Sequence, residues 1–189
     1  MDNTHKIINF LGKHASESFT MYTLSKKVGI PYATFHRTIQ TIPELVTKQT
    51  IGKSTVVSLR RETLTKSYLV VSSFEEAKEY LSKQPLIKKI AEELPKEEYA
   101  ALLFGSYAKD LQGKKSDIDI LVINKDGRKE PGFSKYETLF GVEINPLYFS
   151  KKEFAQMLKS EEENVGTQAL KNHIVLYNPE YFWGIIYGV

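Results

Sequence analysis

A chain of 189 residues without a single cysteine excludes a disulfide framework and thiolate metal sites, so any metal must sit on oxygen or imidazole ligands. No apolar run approaches the ~20 residues that span a bilayer, and the N-terminus MDNTHKIINF lacks the basic flank and apolar core of a signal peptide, so the sequence reads as cytoplasmic with no membrane partner. The net charge of +3 is unevenly spread: residues 1–62 hold nine basic and four acidic side chains, a net of +5, which leaves −2 for the remainder. A basic block ahead of a near-neutral remainder points to a polyanion-binding module joined to something else.

In the N-terminal third, Ile7, Ile8, Phe10 and Leu11 fall at helical spacing, and Thr23 is placed to cap a second helix over Leu24–Val28. Gly29-Ile30-Pro31 breaks the chain, with Pro acceptable at the first position of a third helix. There Phe35, Ile39 and Ile42 form an apolar stripe and leave Tyr32, Thr34, His36 and Arg37 on the other face. Two β-rich runs around Gly52-Lys53-Ser54 read as a hairpin. The segment LSKKVGIPYATFHRTI resembles the helix-turn-helix signature, and with the hairpin the whole looks like a winged helix over residues 1–63. The resemblance implies double-stranded DNA as a partner, with Tyr32, Thr34, His36 and Arg37 facing bases or phosphates and Lys48 and Lys53 on phosphates. A winged helix used only for dimerisation or docking is the alternative.

Residues 64–98 read as a helical connection. Ser73-Phe-Glu-Glu76 has the form of a capping box, Pro85 restarts a helix and Pro95 ends it. The segment TLTKSYLVVSS fits helix and strand equally.

The chemistry lies beyond, in residues 99–189. YAALLF (99–104) is a buried strand that runs into Gly105-Ser106, where glycine lets backbone N–H groups approach an anion and serine adds a donor; a short helix near Tyr107 follows. Asp117 and Asp119 are two apart on the strand SDIDILVI, so both carboxylates leave one face while Ile118 and Ile120 enter the core. Two like charges so close are costly unless cations neutralise them, and hard divalent ions take oxygen ligands.

Strand, Gly-Ser, the small residue Ala108 and then Asp-x-Asp together resemble the polymerase-β-type nucleotidyltransferase superfamily, in particular its small "minimal" prokaryotic members. The resemblance covers about residues 86–178 and includes LYFSKKEFAQML, with Ser150 and Glu153 as a capping box, and the late strand HIVLYN. It implies a third carboxylate on a later alternating strand, which FGVEINPLYF supplies as Glu143. Asp126 and Glu130 compete for that role from a polar, Gly/Pro-containing loop, and Glu137 is a closer rival. One departure stands out: many members have Arg-Gly after the small residue, and this chain has Lys109-Asp110.

The expected architecture is therefore α+β, a winged helix followed by a nucleotidyltransferase domain with a mixed sheet flanked by helices. The resemblance implies transfer of a nucleoside monophosphate from ATP or another NTP to a hydroxyl. It assigns Asp117, Asp119 and Glu143 to two Mg²⁺ ions, with Mn²⁺ as substitute, and Glu143 also to deprotonation of the acceptor. Gly105, Ser106 and Lys109 are assigned to the phosphates, with Lys114 and Lys115 as further cations. The implied acceptors include a tyrosine on a partner toxin. The rival reading is a DNA-binding regulator whose second domain only binds nucleotide or a partner. The aromatic run YNPEYFWGIIYGV reads as core completion, with a homodimer contact as its alternative.

Overall fold

The computed structural model describes residues 1–113 and 116–188. They form two compact units, Met1–Ser72 and Ser73–Gly188.

In the first unit, helix α1 (Asn3–Lys13) is capped by Asp2, whose carboxylate accepts from the His5 N–H at 2.8 Å. Strand β1 (Phe19–Thr20) leads into helix α2 (Met21–Lys27). The cap of α2 is Thr20 rather than Thr23: the Thr20 hydroxyl accepts from the Thr23 N–H at 3.2 Å, which places Thr23 inside the first turn. Pro31 precedes helix α3 (Tyr32–Gln40). Strands β2 (Val46–Ile51) and β3 (Ser54–Leu59) then pair antiparallel as a hairpin, and β1 adds to the outer side of β3. Ile7, Ile8, Leu24, Phe35 and Ile39 are fully buried, as their 3.6-residue spacing indicates, and Leu45 and Val57 of the hairpin region are fully buried as well.

Helix α4 (Thr63–Leu81) runs without interruption through TLTKSYLVVSS, so that segment is helical and Ser73 is not a cap. Ser73 sits mid-helix and buried, where its Oγ accepts from the indole N–H of the fully buried Trp183 at 2.8 Å. The S-x-x-E pattern here reflects a partner for tryptophan, not a helix start.

The second unit is built on a four-stranded mixed sheet in the order β6-β5-β4-β7. Strand β4 (Tyr99–Leu103) lies antiparallel to β5 (Ile118–Asn124) on one side and to β7 (Ile174–Tyr177) on the other; β5 and β6 (Ile144–Ser150) run parallel. Helix α5 (Pro85–Glu92) places Ile87 and Ile90 in the same core as Tyr80 of α4 and the sheet residues Ala101, Leu103, Ile118, Ile120 and Val122. A four-residue helix α6 (Gly105–Ala108) follows β4, and α7 (Ser134–Phe140) leads toward β6. Helix α8 (Lys151–Lys159) carries the expected Ser150–Glu153 capping box. Helices α9 (Val165–Lys171) and α10 (Pro179–Tyr187) complete the unit. Phe182 and Trp183 of α10 are buried among Phe154 and His173, so this part of the aromatic run does fill the core.

A buried indole N–H left without an acceptor costs the desolvation of that group, about 1–3 kcal/mol. Ser73→Ala is therefore expected to destabilise the chain by about that amount in urea unfolding, and Ser73→Thr, which keeps the hydroxyl, by less.

Candidate active site

The start of strand β5 alternates as the spacing requires, and from Ile120 onward the strand is buried on both faces. Ile118 and Ile120 are fully buried, and Asp117 and Asp119 leave the opposite face half-exposed. The Phe104 N–H donates to the Asp119 carbonyl at 3.0 Å, which brings the end of β4 and the Gly-Ser turn beside the carboxylates. Gly105 has φ +68°, and a Cβ there would run into the Asp119 carboxylate. Glycine is thus required twice at this position, for its backbone angle and for the space it leaves.

Behind the turn, the Tyr80 hydroxyl donates to the Tyr107 carbonyl at 2.9 Å. Burial, then Asp110 and Tyr107, push the Tyr80 phenol up to about 12, so it remains a proton donor across the neutral range. The Leu111 N–H closes the turn onto the Ser106 carbonyl at 3.0 Å. Asp110 has φ +53°, the left-handed region that glycine prefers. Aspartate is among the few side chains that tolerate this backbone shape. Lys109 is exposed at the C-terminal cap of α6, while Lys114 and Lys115 lie outside the described residues.

The parallel register pairs Ile118 with Ile144 and Asp119 with Asn145, and the Ile118 N–H donates to the Glu143 carbonyl at 2.9 Å. Glu143 thus stands one step before β6, opposite Asp117 and exposed. Its rivals are placed otherwise. The Glu137 carboxylate accepts from the Ile144 N–H at 3.2 Å and fixes the start of β6. Asp126 and Glu130 follow the far end of β5, roughly 20 Å along the strand from Asp117 at ~3.3 Å per residue. Glu130 pairs there with Arg128.

One polar residue of the site carries no motif signal. Asn145, next after Ile144, donates from Nδ2 to Asp117 Oδ2 at 3.3 Å. Among the described residues no three His, Cys, Asp or Glu side chains converge as a metal site, so Glu143 does not close on Asp117 and Asp119 here. The oxygen-only donors, paired on one face beside a glycine that leaves room, nevertheless fit a hard divalent cation.

A family model described as Nucleotidyltransferase domain matches residues 85–185, more than half of the chain. The chain belongs to this family. The matched span runs from α5 to α10 and contains every element of the carboxylate site. Comparison with curated proteins and with solved structures gives no match. Among the described residues no helix is long and apolar enough to cross a membrane.

The Asp119 carboxyl is held above the usual aspartate range, first by burial and then by the Asp117 charge, against a lowering by the Asn145 amide. Between the ordinary and the raised value the native state keeps a proton that the unfolded chain has released. Stability of the metal-free protein therefore falls as pH rises through that interval and stays lower above it. Asp119→Asn removes this cost. The variant is expected to melt above wild type at pH 7 in EDTA, with the gap closing as the pH approaches the ordinary aspartate value of about 3.9. Equal melting at both pH values would contradict the assignment.

Proposed function

We propose that this protein transfers a nucleoside monophosphate, AMP from ATP, onto a hydroxyl acceptor, with pyrophosphate as leaving group. The observation that carries the reading is the Asp117–Asp119 pair, set on one strand face against Gly105 in a chain of the nucleotidyltransferase family. Divalent ions of the Mg²⁺ type, two in number and replaceable by Mn²⁺, supply charge neutralisation at the α-phosphate and the leaving group when bound. Asp117 and Asp119 hold them. Gly105 and Ser106 receive the β- and γ-phosphates, and Lys109 adds positive charge beside them. The acceptor oxygen forms its bond to the α-phosphorus as the α–β bridging P–O bond breaks. Glu143, exposed opposite Asp117, takes the acceptor proton and completes the metal site once the nucleotide is bound. The acceptor is a hydroxyl on a partner protein, such as the toxin of a toxin–antitoxin pair.

The first unit supplies double-stranded DNA binding in the manner of a winged helix. Two features support this. No acid occurs on α2 or α3, while Lys26, Lys27, His36 and Arg37 are exposed there. Exposed rings also line up across the two helices, Tyr22 to Tyr32 at 6.1 Å and Tyr32 to His36 at 6.2 Å, with Lys26 over Tyr22 at 5.5 Å. Thr34 is half-buried beside them, and Lys48 of the hairpin donates to Gln40 of α3 at 2.9 Å, which ties the hairpin to that helix. Lys53 stands exposed at the hairpin turn. DNA operators with two-fold symmetry imply a homodimer.

A second reading, a DNA-binding regulator that only holds nucleotide or a partner in its second unit, is favoured by Glu143 standing outside any three-ligand group among the described residues. The two separate with α-³²P-ATP and Mg²⁺, supplied with and without the proteins encoded beside it. The transferase reading expects label on an acceptor and its loss, by a factor of 10² or more, in Asp117→Asn and Asp119→Asn. No label under any condition would leave the regulator reading standing.

DNA binding is checked by fluorescence anisotropy on duplex DNA at several salt concentrations. Arg37→Ala and Lys53→Ala are each expected to weaken binding and to lower the salt slope by about one. Wild-type affinity and slope in both variants would remove the winged-helix reading.

A further inference from the structure

Asn145 has no structural reason to be asparagine. It is exposed, the packing of this stretch of β6 is carried by the buried Ile144, and asparagine is depleted in strands. What distinguishes the position is its register. Pairing with Asp119 sends the Asn145 side chain out of the sheet on the carboxylate face, and Nδ2 donates to Asp117 Oδ2 at 3.3 Å. An amide N–H₂ is the one neutral group that offers two hydrogens and can serve two acceptors together.

Two carboxylates on one strand face repel unless positive charge or donors stand between them. Lys109 is exposed at the end of α6, and among the described residues it forms no ion pair with either carboxylate. We propose that Asn145 is a positioning residue that takes the cation's place, its amide bridging the Asp117–Asp119 pair until a divalent ion displaces that contact. The inference rests on the reading of Asp117 and Asp119 as metal ligands. It goes beyond that reading because it assigns to β6 a neutral residue that competes with the metal. Such a donor keeps the pair oriented without metal, and it lowers the apparent affinity because loading must first break a hydrogen bond.

The experiment uses the full chain, Mn²⁺ as the probe and no nucleotide, with free Mn²⁺ read by electron paramagnetic resonance at pH 7. Asn145→Ala is expected to bind Mn²⁺ about three- to tenfold more tightly than wild type, the weight of one ordinary hydrogen bond. Asn145→Val, which keeps a good strand former and removes the donor, is expected to behave alike. In ¹⁵N spectra the wild-type Asn145 side-chain NH₂ pair, assigned by its absence from the alanine variant, is expected to move on Mg²⁺ addition and to stay put in Asp117→Asn/Asp119→Asn. Unchanged or weaker Mn²⁺ binding in both Asn145 variants, or an unmoved NH₂ pair in wild type that binds Mn²⁺, would overturn the exchange alone. A wild type that takes up no Mn²⁺ would overturn the metal reading and the exchange with it.

Discussion

The organisation of the second unit follows from one constraint, the pairing of two carboxylates with two buried isoleucines on a single strand. The residues Asp117-Ile118-Asp119-Ile120 have to place charge on one face and hydrocarbon on the other, and the period of two does this without any further device. The apolar face fixes the register of β5 between β4 and β6, because a slip of one residue would bury both carboxylates. With register fixed, the neighbours of the charges are fixed too. The Gly105 turn arrives from β4, and Asn145 and Glu143 arrive from the start of β6. The site is a consequence of the core behind it.

The elements with the strongest periodicity were legible directly. The buried run 99–103, the alternation of β5 and the capping box at Ser150 are each local patterns with a single physical solution. Ser73-Phe-Glu-Glu76 was misleading because a cap and a mid-helix hydroxyl acceptor look alike in sequence; what separates them is Trp183, 110 residues further on. Thr20 and Thr23 present the same ambiguity over three residues, and the chain places the earlier one at the cap.

Within the site, the asymmetry between what was legible and what was not has the same origin. Gly105, Ser106, Asp117 and Asp119 are close in sequence, so their spacing alone brings them together. Glu143 depends on where β6 begins, which is set by Gly141 at φ +63° ending α7 and by Glu137 bracing the Ile144 N–H. Asn145 carried no signal at all. Its significance is a register partner across a parallel ladder, and parallel pairing leaves no mark in the sequence of either strand.

Lys109-Asp110 sets the backbone at the end of α6. A missing glycine matters if the turn needs a left-handed residue, and Asp110 at φ +53° shows that it does. Aspartate meets that need at a modest strain, whereas a β-branched residue would not. The turn is then held by contacts that do not involve residue 110's side chain: the Leu111 N–H on the Ser106 carbonyl and the Tyr80 hydroxyl on the Tyr107 carbonyl. Lys109 places a positive charge next to this turn, as a point charge without the planar fork of an arginine. Asp110 at φ +53° therefore leaves the backbone of the Gly105–Leu111 turn closed by those two hydrogen bonds.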